Sequence, residues 1–208
     1  MKKSLLLAVA LTLTTAVQGV RAETYEIDGS HSSATFSIRH IFSQVKGRFA
    51  QVSGSVTYDP QEPEKASVTA KIAAASINTD NEKRDAHLKS ADFFEVEKYP
   101  DITFQSKGVK KEGEKLLVTG ALNLHGVEKE ITLDVEFLGA GPGMRGATVA
   151  GFEATTTINR KDFGINWNRA LDQGGFVLGD EVKVTLSIEA VHRKAEPKPE
   201  ETKKEGGK

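Results

Sequence analysis

The sequence predicts an all-β protein, an eight-stranded antiparallel barrel with a short helix and an aromatic loop at one end. Apolar and polar residues alternate along about eight segments, as in strands with one buried and one solvent-facing side. Several segments look about ten residues long or more, against a typical five to six. Small residues recur on the apolar sides, at Gly54, Ala70, Ala74 and Gly120. Long strands with small inward residues favour a hollow barrel; strand bends or tight packing at those residues are the alternative.

The predicted strands follow one another with turn signals between them. A short first strand is predicted at 25–27, and the last but one at 148–158. Turns are predicted at 110–114 and at His125-Gly126. The apolar positions of the other strands are Ala34, Phe36 and Ile38; Val52, Val56 and Tyr58; Val68, Ala70, Ile72 and Ala74; Ile102 and Phe104; Leu116, Val118, Leu122 and Leu124; Ile131, Leu133, Val135 and Phe137; and Val182, Val184, Leu186 and Ile188.

One long interruption, residues 78–104, separates the strands. A short helix is predicted at 80–90, with Thr79 or Asp80 as its N-cap and Glu82 in its first turn. Apolar and aromatic residues follow the helix, and Pro100 ends the interruption before the next strand. A helix and aromatic loop in this place can plug one end of a barrel. A plain cover over a filled core is the alternative.

The beginning of the chain predicts export. Lys2 and Lys3 precede an apolar run at 5–17, and Ala22 fits a cleavage site, so residues 1–22 are predicted to be a signal peptide. The run is shorter than the roughly 20 apolar residues that span a bilayer. The sequence therefore predicts a periplasmic or secreted protein without a stable membrane anchor.

Composition bounds the rest of the chain. Residues 195–208 are rich in Pro, Glu, Lys and Gly and are predicted to be disordered, which leaves 23–194 as one domain. The chain has no cysteine, which excludes disulfides and thiolate chemistry. A net charge of -1 gives no indication of nucleic-acid binding.

Motifs for catalysis or metal binding are weak. Residues 141–146 match G-x-G-x-x-G, but a strand follows instead of a helix, so a hairpin loop is predicted. The five histidines show no metal-ligand spacing; a metal site assembled from distant strands stays open. His31 lies among serines without a nucleophile elbow, and it is predicted to fix the turn at Asp28-Gly29.

Six stretches of the sequence resemble a known family. They are residues 28–40, 45–49, 78–104, 120–135, 158–167 and 179–190. Together they resemble the YceI-like family of periplasmic lipid-binding proteins, also described as polyisoprenoid-binding proteins, over about 25–191. The resemblance implies a lipocalin-like antiparallel barrel whose apolar interior holds a long-chain isoprenoid or fatty-acyl compound.

The predicted function is therefore that of a non-catalytic carrier or sequestering protein, possessing no cofactor or metal and with an amphiphilic lipid as its partner. A lipid-modifying enzyme using the same cavity, and a stress or interaction protein with an incidental cavity, are the alternatives; a homodimer stays open. The predicted cavity residues are Phe36, Ile38, Val56, Ile72, Ala74, Phe94, Phe104, Leu122, Val135, Trp167 and Leu186. Head-group contacts are predicted for Arg84, His87, Asn159 and Arg160, with Lys89 and Arg169 as further candidates at the mouth.

Export gives a first test. Because the predicted cleavage follows Ala22, the intact mass of the protein recovered from the periplasmic fraction should correspond to a chain that starts at Glu23. An uncleaved product confined to the cytoplasm would contradict the predicted signal peptide.

Overall fold

The computed structural model describes residues 22–192. The tail predicted at 195–208 and the signal peptide predicted at 1–22, except Ala22, lie outside the described residues. The elements are strands β1 Glu23–Ile27, β2 Ser33–His40, β3 Ser43–Phe49, β4 Val52–Tyr58, β5 Ser67–Ala73, β6 Ile77–Asn78, β7 Asp101–Glu112, β8 Lys115–Leu124, β9 Val127–Pro142, β10 Thr148–Asn159 and β11 Leu178–His192, and helix α1 Glu82–Lys89. Between residues 22 and 192 no helix has the length and apolar character needed to cross a membrane.

All strands belong to one antiparallel sheet with eight strand positions. β1 and β2 both pair with β11, so they are two segments of one strand with a break at 28–32. β4 and β3 pair with these two segments, and β5 and β6 pair in turn with β4 and β3. β7 to β11 continue the order, each beside the next. The pairing of β11 with the first strand closes the sheet, which confirms the predicted eight-stranded barrel.

The break between β1 and β2 is a turn held by side chains. Asp28 accepts hydrogen bonds from the backbone N–H of Ser30 at 2.8 Å and from Nδ1 of His31 at 3.0 Å. The bond between the two side chains lowers the pKa of Asp28 and raises the pKa of His31. The buried Ser32 then bonds both backbone groups of Glu189 on β11. His31 thus fixes this turn, as predicted.

The interruption forms one short helix and an aromatic loop, but the predicted N-cap is wrong. The helix begins at Glu82, and the side chain of Asn81 accepts the N–H of Arg84 at 3.0 Å. Thr79 is instead buried, and its N–H and hydroxyl both donate to Asp85. An Asp at 80 with a positive φ of 58° places Asn81 in the cap position.

Two apolar clusters occupy the interior. The cluster near α1, which we call the helix end, joins the barrel wall to Phe93 of the aromatic loop. At the opposite end, the rings of Tyr58, Phe137 and Phe152 lie 4.7 to 5.4 Å apart and pack against the second cluster. Different parts of the chain therefore cover the two ends of the barrel. Aromatic residues of the strands cover one end, and the interruption at residues 78–104 covers the other.

Gly54 does not supply inward volume, contrary to the preferred interpretation of the sequence. Its φ is +138°, and a Cβ there would lie 2.1 Å from the backbone oxygen of Thr69 on the neighbouring strand. A close approach of two backbones at a strand distortion accounts for this glycine.

Gly54→Ala should therefore lower the free energy of unfolding by about 1 to 3 kcal/mol, since the added methyl collides with a backbone atom in a conformation that L residues rarely adopt. Gly108→Ala is the matched control, because a Cβ at Gly108 meets nothing within 4 Å. Its effect should stay within about 0.5 kcal/mol. Urea unfolding of both variants measures this, and equal midpoints for the two would contradict the explanation.

Candidate functional site

The barrel encloses one large apolar cavity between the two clusters. Its volume is about 500 Å³, within the roughly 300–1,000 Å³ of small-molecule sites. Every strand position of the barrel contributes to its wall. One representative from each is Phe36, Val56, Val68, Phe104, Leu122, Val135, Phe152 and Leu186.

Ten of the eleven predicted cavity residues lie on this wall. They are Phe36, Ile38, Val56, Ile72, Phe94, Phe104, Leu122, Val135, Trp167 and Leu186. Eight of them are strand residues that alternation predicts, because side chains of one phase of a strand face the same side; Phe94 and Trp167 lie in loops. That they contact a ligand stays a prediction.

Ala74 is the exception, and its predicted position in the cavity is wrong. β5 ends at Ala73, and Ala74 begins a 3-10 turn, Ala74–Ser76, in which its N–H donates to the carbonyl of Pro100 at 2.8 Å. The alternation of β5 therefore no longer applies to it. Its side chain is 1% exposed and packed in the cluster at the helix end.

Gly120 faces inward but does not border free space. A Cβ at Gly120 would lie 2.5 Å from the ring of Phe104, which is itself part of the cavity wall. The volume that glycine leaves is filled by this ring and by the backbone oxygen of Gln105. Of the four small residues noted in the sequence, only Ala70 lines the cavity.

The charged and imidazole groups on the wall gather at the helix end. They are His40, Lys83, Arg84, His87 and Arg160. They come from the end of β2, from α1 and from the turn after β10. Among the described residues that line the cavity, none is Asp or Glu. This mouth therefore presents positive charge next to an apolar interior.

Arg160 is a structural part of the mouth. It is 3% exposed, and its guanidinium donates to the carbonyls of Gly179, Ile165 and Trp167 at 2.8 to 2.9 Å. A fourth contact reaches Asp180 at 3.4 Å. Burial lowers the pKa of Arg160. Because all three of its nitrogens are already engaged, the structure does not support the predicted head-group role.

Three other head-group candidates lie off the wall. The exposed side chain of Asn159 accepts the N–H of Lys161 at 3.0 Å and so caps the turn Arg160–Phe163. Asn159 does not line the cavity, because the neighbouring inward position on β10 is Ile158, so the structure does not support its predicted head-group contact. Lys89 and the exposed Arg169 are likewise absent from the lining.

Arg84 and His87 do reach the mouth, as predicted, but each already has a protein partner. Nε and Nη2 of Arg84 donate to the side-chain and backbone oxygens of Thr79, both at 2.8 Å. Its Nη1 makes no hydrogen bond to the part of the chain that the structure describes. Nε2 of His87 lies 2.8 Å from Asp92, and its ring packs edge-on against Trp167 with centroids 5.0 Å apart.

The mouth also contains residues that sequence reasoning missed. His40 continues the inward phase of Phe36 and Ile38, so alternation alone could have identified it. Lys83 precedes Arg84 on the helix and is exposed. Val177 comes from an irregular loop whose direction no periodic pattern indicates.

Two remaining motifs have structural explanations. Residues 141–146 form the hairpin between β9 and β10, as predicted, with Gly143 donating to Ala147 at 2.9 Å. Asp28, His31 and Glu189 bring ligand-type atoms within 4.8 Å of one another on the outer surface. The hydrogen bond and ion pairs that hold the β1–β2 turn account for this group.

The fold and the cavity define a class of protein. A closed barrel of eight antiparallel strands around an apolar space is the architecture of barrels that can hold one small ligand. The chain belongs to the YceI-like domain family, which matches residues 25–190. A UPF0312 protein of Staphylococcus aureus strain N315 is 44% identical over 167 residues, covering 79% of this chain and 95% of that protein.

Solved structures agree with this assignment. The YceI protein of Campylobacter jejuni is 32% identical, with a TM-score of 0.63 over 90% of this chain and all of that one. BcnA of Burkholderia cenocepacia shares the fold at 23% identity, with a TM-score of 0.70 over 79% and 99%. A polyisoprenoid-binding domain of Saccharophagus degradans shares it at 19% identity, with a TM-score of 0.58 over 82% and 98%.

Proposed function

We propose that this protein is an exported, non-catalytic carrier that binds a long-chain isoprenoid or another amphiphilic lipid inside the barrel. The observation that carries the proposal is the shape and chemistry of the cavity: about 500 Å³ of apolar interior with cationic groups at one end only. Burial of a hydrocarbon chain contributes about 25 cal/mol per Å² of apolar area, without directional contacts. The description of the Saccharophagus degradans domain as polyisoprenoid-binding supports the same ligand class.

The mouth favours a lipid with an anionic head group. Lys83, Arg84 and the two imidazoles of His40 and His87 surround the opening. Phosphate or carboxylate oxygens accept charge-assisted hydrogen bonds from such groups. His87 already has Asp92 as its partner, so the positive charge that an anionic head group would complement is mainly that of Lys83 and Arg84.

The lining favours carriage over lipid modification. Catalysis on a bound lipid needs a nucleophile or an acid–base pair at the reacting atoms. The pair of His87 and Asp92 is the arrangement at the mouth closest to that requirement. Among the described lining residues, however, there is no serine beside it to activate, and the hydroxyls present belong to Thr35, Tyr58, Thr103 and Thr156. A periplasmic location rests on the predicted signal peptide.

The single tryptophan provides a direct test of lipid binding. Trp167 lines the cavity, so its fluorescence should change when a polyprenyl phosphate enters. Ala154→Phe places a ring in the cavity and should weaken binding by at least about tenfold, because the added volume competes with the ligand. Ala121→Phe is the control, since Ala121 lies off the lining. Unchanged binding by folded Ala154→Phe protein would count against an internal lipid site.

Head-group recognition can be separated from the structural role of Arg84. Arg84→Met should weaken binding of a prenyl phosphate by on the order of tenfold or more relative to the matching prenyl alcohol, since a hydrogen bond to a charged group is lost. Thr79→Val removes an anchor of Arg84 but keeps the charge, and it should leave this preference intact. If both variants lost the same affinity for both ligands, Arg84 would act only by stabilising the interruption at residues 78–104 and would not bind the head group. Titrations followed by Trp167 fluorescence measure the affinities of the wild type and both variants for both ligands.

A further inference from the structure

Two large aromatic side chains protrude from the helix end of the barrel. Phe42 at the tip of the β2–β3 hairpin is fully exposed, at 102%, and Phe176 in the loop before β11 is 54% exposed. The two turns touch, because the N–H of Ile41 donates to the carbonyl of Val177 at 2.8 Å. We call Ile41, Phe42, Phe176 and Val177 the aromatic tip.

Folding alone does not explain these residues. Two-residue hairpins favour Asn, Asp or Gly, whereas this one carries Ile41 and Phe42. Ile41 has a φ of 51°, which is unfavourable for a β-branched side chain. A strained turn that holds a phenylalanine in water costs stability, and such features are found where they serve a function.

The aromatic tip is continuous with the cavity mouth. Val177 itself lines the cavity, and so do His40 and Leu178, which pair with each other at the base of the tip. A molecule that entered or left through this mouth would therefore pass beside the exposed rings.

Cationic side chains accompany the exposed rings. Arg39 donates to the carbonyl of Ile41 at 3.2 Å, and Nζ of Lys161 lies 6.0 Å from the ring centre of Phe176. Arg169 joins them through its carbonyl, which accepts the N–H of Val177. Of the nearby acids, Asp180 is paired with Lys161 at 3.0 Å, and Asp172 lies on the same loop. Interfacial aromatic rings next to Lys and Arg are the pattern of surfaces that bind anionic bilayers.

We propose that the aromatic tip docks on the surface of an anionic phospholipid bilayer, with Phe42 and Phe176 in the interfacial region, so that lipid passes between bilayer and cavity without crossing water. This inference rests on the proposed function, because docking serves to deliver lipid to the cavity. The docking is peripheral, since only the two short loops insert. The basic side chains orient the mouth toward the bilayer before the rings insert.

Vesicle flotation tests the docking directly. The wild-type protein should float with vesicles of phosphatidylcholine and phosphatidylglycerol, and less with phosphatidylcholine alone. The double variant Phe42→Ser/Phe176→Ser, which we call the tip variant, should bind the mixed vesicles on the order of tenfold more weakly, because both rings are removed from the interface. Leu138→Ser/Met144→Ser is the matched control, since these exposed apolar residues, at 61% and 85%, lie away from the mouth. An unchanged unfolding midpoint verifies that each variant folds.

Lipid uptake separates this proposal from the proposed function. A polyprenyl phosphate is delivered either from vesicles or from dilute ethanol, and uptake is followed by Trp167 fluorescence. The tip variant should take up lipid more slowly from vesicles, on the order of tenfold, yet reach the same occupancy from ethanol.

Equal flotation and equal vesicle uptake by wild type and tip variant overturn the docking and leave lipid binding intact. Failure of both proteins to bind lipid by either route overturns the proposed function, while flotation still decides the docking. Sedimentation could instead show that the wild type is a dimer and the tip variant a monomer. In that case the aromatic tip binds a second copy of the chain and not a bilayer, which overturns the proposal.

Discussion

Closure of the sheet is the constraint from which the rest of this structure follows. β11 pairs along one side with β10 and along the other with both halves of the first strand. Closure removes most of the sheet edge that could join another chain; residues 43–47 of β3, which pair only with β2, keep one open side. It also fixes the circumference, so that inward side chains must either fill the middle or leave it empty. Here the wall residues leave about 500 Å³ unfilled.

The charged groups near the cavity are either hydrogen-bonded by the protein or exposed to solvent, because burying an unpaired charge is costly. Arg160 is the deepest cation, and carbonyls from the loop at 165–167 and from β11 satisfy it, so the charge organises the wall. Lys83, in contrast, is exposed beside the opening. The mouth thus combines one cation that is fixed by the protein with others that retain contact with solvent. This separation lets the interior stay apolar while the opening remains charged.

Alternation predicted the regular parts of the molecule well, because a closed barrel imposes one inside and one outside on every strand. Phe36, Leu122 and Leu186 face inward for that reason alone. The errors fall where the strands stop. Ala74 follows the end of β5, so the period of two no longer applies to it. Asn159, the last residue of β10, obeys that period and faces away from the cavity, beside the inward Ile158. The N-cap of α1 is Asn81 and not the predicted Thr79 or Asp80, because Asp80 adopts a positive φ, which sequence patterns do not specify. Ile41 and Phe42 are not residues that usually form a two-residue turn, and only the register of β2 with β3 places them at a tip.

The contact between Gly120 and Phe104 means that the shape of the cavity depends in part on a residue that lies behind the cavity wall. The ring of Phe104 occupies space that a side chain at position 120 would need. A methyl group at position 120 would collide with the Phe104 ring and with the backbone oxygen of Gln105, each 2.5 Å away, so the wall would have to shift although residue 120 does not line the cavity. A comparison restricted to the residues that line the cavity would therefore overlook a position that helps to set its shape.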